Sequence, residues 1–195
     1  TMDASAVEIE SLDNGLYSGA VAWGDFDNDG DLDILANGLD GTNRQLRVYK
    51  NNGNGTVDAT QIEIDGINNG LSAGSSTWGD FDNDGDLDIL AAGTVVGSTR
   101  QLRVYKNNGN GSFDPTQIEV DGINNGLQSG SVAWGDFDND GDLDILATGT
   151  DTASAKQMRV YKNNGNGLFD GTQIEVDGAS NGLYAGGLAW GDFDN

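Results

Sequence analysis

Apolar and polar residues alternate over short runs in this chain, and Gly and Asn interrupt each run before it could build the stripe of an amphipathic helix. Such a pattern predicts strands. Four of them fall at residues 20–26, 32–36, 45–50 and 61–65, return at 76–81, 87–91, 101–106 and 117–121, and return once more between 132 and 177. Connections of this length favour an antiparallel meander. The third strand ends in NNGNG at 51–55, 107–111 and 163–167, where Asn and Gly tolerate the positive φ of a hairpin, so strands three and four are expected to pair. Side chains alternate across a strand, which puts Leu46 and Val48 on one face and Arg47 and Tyr49 on the other, with Ile62 and Ile64 flanking Glu63. The register then sets Arg47 beside Glu63, Arg103 beside Glu119 and Arg159 beside Glu175.

The block WGDFDNDGDLDIL recurs letter for letter from Trp23, Trp78 and Trp134 and starts again at Trp190, at spacings of 55, 56 and 56 residues. The repeat is therefore the structural unit. Four antiparallel strands per unit, buried on both faces by neighbouring units, predict an all-β fold of tandem propeller-type blades. The expected division is a partial repeat at 1–18, blades at 19–73, 74–129 and 130–185, and the start of a fourth blade at 186–195. A meander places the Asp-rich first turn and the NNGNG turn at one end of each blade. At the other end lies the connection between strands two and three, which varies (NGLDGTNR, AGTVVGSTR, TGTDTASAK) and would carry any partner specificity. The repeated Trp is expected to fill the space between blades rather than to stack on a sugar, and Tyr49, Tyr105 and Tyr161 to pack.

The formal net charge of −23 changes this picture once it is located. Five Asp in each full motif, with Asp192 and Asp194, account for 17 of the 32 acidic residues and leave 15 against nine basic ones. Most of the acidity thus belongs to discrete sites rather than to a halophile-type surface. Nucleic acid and anionic membrane are unsuited partners. Without Cys or His, the chain has no disulfide, thiolate or imidazole chemistry, and no ordinary zinc, copper or haem ligands. It has no apolar run of membrane-spanning length and begins at Thr1 without a signal peptide, the expectation being a soluble processed product or fragment. All nine basic residues fall in three copies of the third strand; a stripe for acidic glycans competes there with pairing to nearby Glu and Asp, and pairing is favoured. Asn54 and Asn110 head glycosylation sequons that the third copy, Asn166-Gly167-Leu168, does not repeat.

Within the motif the acids read D-x-D-x-D-G-x-x-D. In a tight loop, carboxylates at positions one, three and five converge, Gly30 at position six permits the turn, Asp31 at seven offers its backbone carbonyl and Asp33 closes the shell. An all-oxygen, carboxylate-rich shell suits calcium. The expected ligands are Asp25, Asp27, Asp29, Asp31 and Asp33; Asp80, Asp82, Asp84, Asp86 and Asp88; and Asp136, Asp138, Asp140, Asp142 and Asp144, with Asp192 and Asp194 starting a fourth site. This is no EF-hand, since Ala36, Ala91 and Ala147 stand where its twelfth-position Glu would be and the flanks are strand-like. With every clustered carboxylate assigned to a metal shell and no nucleophile beside a base, no enzymatic activity is expected.

WGDFDNDGDLDIL and RVYKNNGNG together resemble the FG-GAP/VCBS repeats of calcium-binding β-propellers, a type also found in integrin α-subunit propellers and some fungal lectins. The resemblance implies calcium between the first two strands of each blade and an extracellular or cell-surface setting. Closed propellers need at least four blades, and three and a half are present. Self-association through the partial end repeats, as a head-to-tail filament or a ring, or continuation into a longer array, is therefore expected. The leading functional expectation is an extracellular, calcium-stabilised structural or adhesive repeat protein. The alternatives are a lectin-like glycan-binding propeller and a receptor-type ligand-binding head, the last by analogy alone.

Overall fold

The computed structural model describes residues 9, 15–66, 69–122, 124–165, 167–178 and 180–191. Apart from Ile9, the run at 7–10 that resembles a fourth strand lies outside them, as do Asp192 and Asp194. The described residues form no helix and build three four-stranded antiparallel sheets. The first contains β1 (Tyr17–Gly24), β2 (Asp33–Asp40), β3 (Asn43–Tyr49) and β4 (Ile62–Glu63). The second contains β5 (Ser72–Gly79), β6 (Asp88–Thr94), β7 (Arg100–Tyr105) and β8 (Ile118–Glu119), and the third β9 (Val132–Gly135), β10 (Asp144–Thr150), β11 (Lys156–Tyr161) and β12 (Ile174–Glu175). In each sheet the strands lie in chain order, which is the predicted meander.

The second strand runs on past its expected end, to Asp40 in the first blade and Thr94 in the second, and two further differences have local reasons. The first strand begins earlier, at Tyr17, across an irregularity between Tyr17 and Ala20 where Ser18 takes φ 55°, and it stops at Gly24 because Asp25 already belongs to the loop. The fourth strand shrinks to two paired residues, although the Ile64 N–H still donates to the Leu46 carbonyl beyond it. Its register is the predicted one: Arg47 faces Glu63, Arg103 faces Glu119 and Arg159 faces Glu175. The ion pairs close at 2.8, 2.7 and 2.8 Å.

Period-two alternation gives each central strand two apolar faces, and the core lies between successive sheets. Ile89 and Ala91 point toward the first sheet and pack with Phe26, Leu35, Leu46, Val48 and Tyr105. Leu90 and Ala92 point the other way, into a cluster with Leu102, Val104, Ile145 and Tyr161. The second sheet is thus covered on both sides.

Aromatic rings cement the same seams. Trp78 lies in a stacked group with Phe26 of the preceding sheet and Phe113 of its own, and Trp134 does the same with Phe81 and Phe169. The indole approaches so closely that only glycine fits below it. A Cβ at Gly24 would stand 2.6 Å from Trp78, and one at Gly79 would stand 2.3 Å from Trp134. Trp23 occupies the equivalent place on the first sheet, whose outer face has no described sheet against it, and remains 64% exposed.

Candidate metal centres

Each Asp-rich loop begins where its first strand stops. Asn28 at φ 58° and Gly30 at φ 94° reverse the chain, and Asn83, Gly85, Asn139 and Gly141 repeat those values within a degree. Asp25 holds the turn by accepting the N–H groups of Asp29 at 3.0 Å and Gly30 at 2.9 Å, while Asp29 accepts that of Asp31 at 3.0 Å. Asp80 with Asp84, and Asp136 with Asp140, form the same bonds. The last acid joins the loop to the NNGNG turn: Asp33 accepts the Phe26 N–H at 3.1 Å on one oxygen and the Asn51 N–H at 2.7 Å on the other. Asp88 and Asp144 do likewise with Asn107 and Asn163.

The loops bring carboxylate oxygens together. Asp25, Asp27 and Asp29 each place one within 4.8 Å of the others, as do Asp80, Asp82 and Asp88, and Asp136, Asp138 and Asp144. Between them the three groups use positions one, three, five and nine of the motif. The position-seven side chains turn aside: Asp86 accepts the amide of Asn28 in the preceding loop at 2.8 Å, and Asp142 that of Asn83 at 2.9 Å. This leaves Asp31, Asp86 and Asp142 their backbone carbonyls to offer, the role expected for that position. One oxygen each of Asp27 and Asp82 is buried without a hydrogen-bond partner. An all-oxygen cluster with such an oxygen fits a hard cation and no softer metal.

Electrostatics differ across the loop. Burial raises the carboxyls of Asp33, Asp88 and Asp144 above their ordinary range, Asp88 to about 7, against the pull of their backbone N–H partners. The Asp31 N–H and then Lys50 hold Asp29 low. For Asp84, burial pushes upward and is outweighed by the Asp86 N–H and Lys106.

Two sets of residues had not been placed here by sequence. Lys50 reaches Asp27 and, at 3.1 Å, Asp29; Lys106 reaches Asp82 and, at 3.1 Å, Asp84; Lys162 reaches Asp138. The available signal was the position of each Lys just before NNGNG, at the end of the blade that carries the Asp loop. The second set is Asn107 and Asn163, both buried. The Asn107 amide donates to the Phe26 carbonyl of the preceding sheet at 2.7 Å and to Leu87 at 3.1 Å, and Asn163 donates to Phe81 at 2.7 Å and Leu143 at 3.2 Å.

The repeated loop and hairpin match a known family. The FG-GAP-like repeat profile covers residues 25–91 and 94–147, more than half of the chain. This chain belongs to the FG-GAP-like repeat family. No curated protein matches it. FG-GAP-like repeats are typically extracellular structural or binding units rather than catalysts. Among the described residues no helix is long and apolar enough to cross a membrane.

The FG-GAP blades also pair across their seams. Asp65 of the first blade accepts from Arg103 at 2.7 Å and from the Tyr105 hydroxyl at 3.3 Å, and Asp121 accepts from Arg159 at 3.2 Å and Tyr161 at 2.9 Å. Of the basic residues, Arg47, Arg103, Arg159, Lys50, Lys106 and Lys162 are paired with acids, as favoured from sequence. Above the seam pairs lies a crevice that recurs. Between the second and third blades it measures about 510 Å³ and is lined by Asp121, Asn125, Asp151, Thr152 and Arg159. Between the first and second it measures about 290 Å³, with Asp65, Asn69, Val95, Val96 and Arg103 in the same places.

Proposed function

We propose that this chain is part of an extracellular, calcium-stabilised repeat protein with a structural or adhesive role. The observation that carries the reading is the convergence of carboxylate oxygens in all three loops, together with the unpartnered buried oxygens of Asp27 and Asp82. In the first blade Asp25, Asp27, Asp29 and Asp33, with the Asp31 carbonyl, would hold the ion; the corresponding residues would do so in the others, and Asp192 and Asp194 would begin a fourth site. Bound calcium would supply the positive charge that offsets five neighbouring carboxylates. The chain's own contribution is preorganisation. Backbone N–H groups fix Asp25 and Asp33 before any ion arrives, and Asp33 spans from the loop to the hairpin. A site formed only in the folded chain stabilises it by about 2.7 kcal/mol when the free ion exceeds its dissociation constant a hundredfold. Excess chelator should therefore lower the melting temperature and added calcium restore it; identical melting curves would refute the reading.

The seams also supply a reading of partners. Val21 and Trp23 are exposed on the outer face of the first blade, the face that in the other two blades meets the Phe of a preceding Asp loop. We infer that another FG-GAP blade covers this face, from a longer chain or from a second copy in a ring or head-to-tail filament. Negative-stain microscopy with mass spectrometry distinguishes these, and a compact monomer of 195 residues would oppose assembly between copies.

The recurring crevice favours a second reading, glycan binding. Its floor of Asp and Arg stays constant, while its lip comes from the variable connection between strands two and three, Val95 and Val96 in one and Asp151 and Thr152 in the other. The Asp and Arg of the floor, joined in the larger crevice by Asp151 and Thr152 of the lip, are suited to sugar hydroxyls. A glycan array without binding, with or without calcium, would count against this reading.

A further inference from the structure

Three lysines occupy the mouths of the three acidic loops, and none of them is needed to pair the strands. Lys50, Lys106 and Lys162 each follow the tyrosine that ends the third strand of their blade, and from there each ammonium reaches into the loop between the first two strands. The acid each one meets is Asp27, Asp82 or Asp138, and these three sit at position three, which with position one belongs to the converging group in every blade. Lys50 and Lys106 also touch the position-five acids Asp29 and Asp84 at 3.1 Å. Each lysine thus binds the carboxylates on which the calcium reading rests. The side chains are about one-third exposed, at 31, 34 and 32% relative accessibility, so each ammonium has an open path to solvent.

We propose that these lysines are built-in competitors for the metal: each ammonium fills in as the counter-cation of its loop in the metal-free protein and must be displaced when calcium enters. The inference rests on the calcium reading and adds an exchange to it. An ammonium and a divalent ion drawn to the same few oxygens repel each other, and an oxygen committed to an N–H bond is a weaker ligand. Lys50 donates to Asp27 and lies beside Asp29, and Lys106 does the same with Asp82 and Asp84, which is the placement a resident cation requires. The arrangement has two consequences. Metal-free loops stay tethered to the third strand instead of springing apart by repulsion, and calcium affinity is set lower than the carboxylates alone would make it. The third blade has the weakest lock, since Lys162 holds Asp138 alone, and Asp138 is about twice as exposed as Asp27.

Calorimetric titration with calcium chloride of the wild-type chain and of Lys50→Met/Lys106→Met/Lys162→Met tests the exchange. The expected result is a dissociation constant about fivefold lower in the variant, the equivalent of a partly exposed ion pair that no longer has to break, with a lower melting temperature in chelator. An equal or higher dissociation constant would overturn the proposal, while absence of calcium binding in both proteins would overturn the calcium reading beneath it. A second measurement needs no variant. In wild-type protein, acetylation of Lys50, Lys106 and Lys162, followed by mass spectrometry against Lys156 as internal reference, should be slow in chelator and accelerate on adding calcium. Wild-type protein that binds calcium with no change in these rates would also overturn it.

Discussion

Replacing Asn107 by Ala removes one amide that serves two blades, and the structure sets the cost. Asn107 is fully buried. Its side chain donates to the Phe26 carbonyl across the seam, donates to the Leu87 carbonyl in its own blade and accepts the Gly109 N–H of the hairpin. The Phe26 bond is buried, so its carbonyl would lose its partner without gaining water, at about 1–3 kcal/mol. The other two bonds are part-buried and their groups can be rehydrated, adding about 1 kcal/mol together. A total near 3 kcal/mol corresponds to roughly 6–12 °C in the melting temperature of a chain of this size. Asn51 is the internal control. Its amide bonds Leu32 and its oxygen accepts from Gly53, both at exposed positions, so Asn51→Ala should cost no more than about 1 kcal/mol. Calorimetry and urea unfolding of the two variants, each in calcium and in chelator, give the comparison. If Asn51→Ala and Asn107→Ala agree within about 0.5 kcal/mol, the seam bond does not contribute as argued and the reasoning fails.

Gly79→Ala should destabilise by about 1–3 kcal/mol because its Cβ would meet the Trp134 ring, whereas the same change at Gly191, the fourth copy of that glycine with nothing within 4 Å, should stay within about 0.5 kcal/mol; equal melting temperatures would refute the steric account. Trp78→Ala should lower stability by about 3 kcal/mol through loss of its stack, and Trp23→Ala should leave the melting temperature of the monomer nearly unchanged while abolishing any assembly seen by light scattering. In chelator, Asp88 raised to about 7 keeps a proton in the folded chain that the unfolded chain releases near 3.8. Its stabilising contribution is fullest below the lower value and fades as pH rises through the upper one, so the chelated protein should melt at a higher temperature near pH 5 than near pH 7.5 as far as this group acts. Calcium should reverse that trend, because protons then compete with the ion; parallel pH profiles with and without calcium would contradict it.

Contacts within a blade were the ones legible in the sequence. Period-two alternation and the NNGNG turn fix the third and fourth strands, and from these alone Arg47, Arg103 and Arg159 were set opposite the correct glutamates. The convergence of the first and third acids of the motif with the fifth or the ninth follows equally from local geometry, since a glycine-assisted turn leaves few directions open to them. What joins one blade to the next has no such period. Trp78 was expected to fill a seam, but its partners Phe26 and Phe113 lie far off in opposite directions along the chain, and nothing local marks Asn107 as the bond to Phe26. Pairing of the lysines with nearby acids was legible as well, but which acids was not, because a long side chain at the end of a strand reaches past the sheet into whatever loop shares that edge, here the Asp loop.

The fit of each indole against the glycine of the blade before it has a bearing on descent. A change at Gly79 is judged by Trp134, a residue that belongs to another copy of the repeat, so the two can vary only in step. Selection then acts on the boundary between copies more than on either copy, and a duplicated unit is accepted at once because it arrives with half of each boundary already matched. The segment that carries both halves, WGDFDNDGDLDIL, stands letter for letter the same from Trp23, Trp78 and Trp134, while the strand-two-to-strand-three connection, which meets a neighbouring blade through a backbone carbonyl such as that of Asp151 rather than through an indole against a glycine, differs in spelling and length.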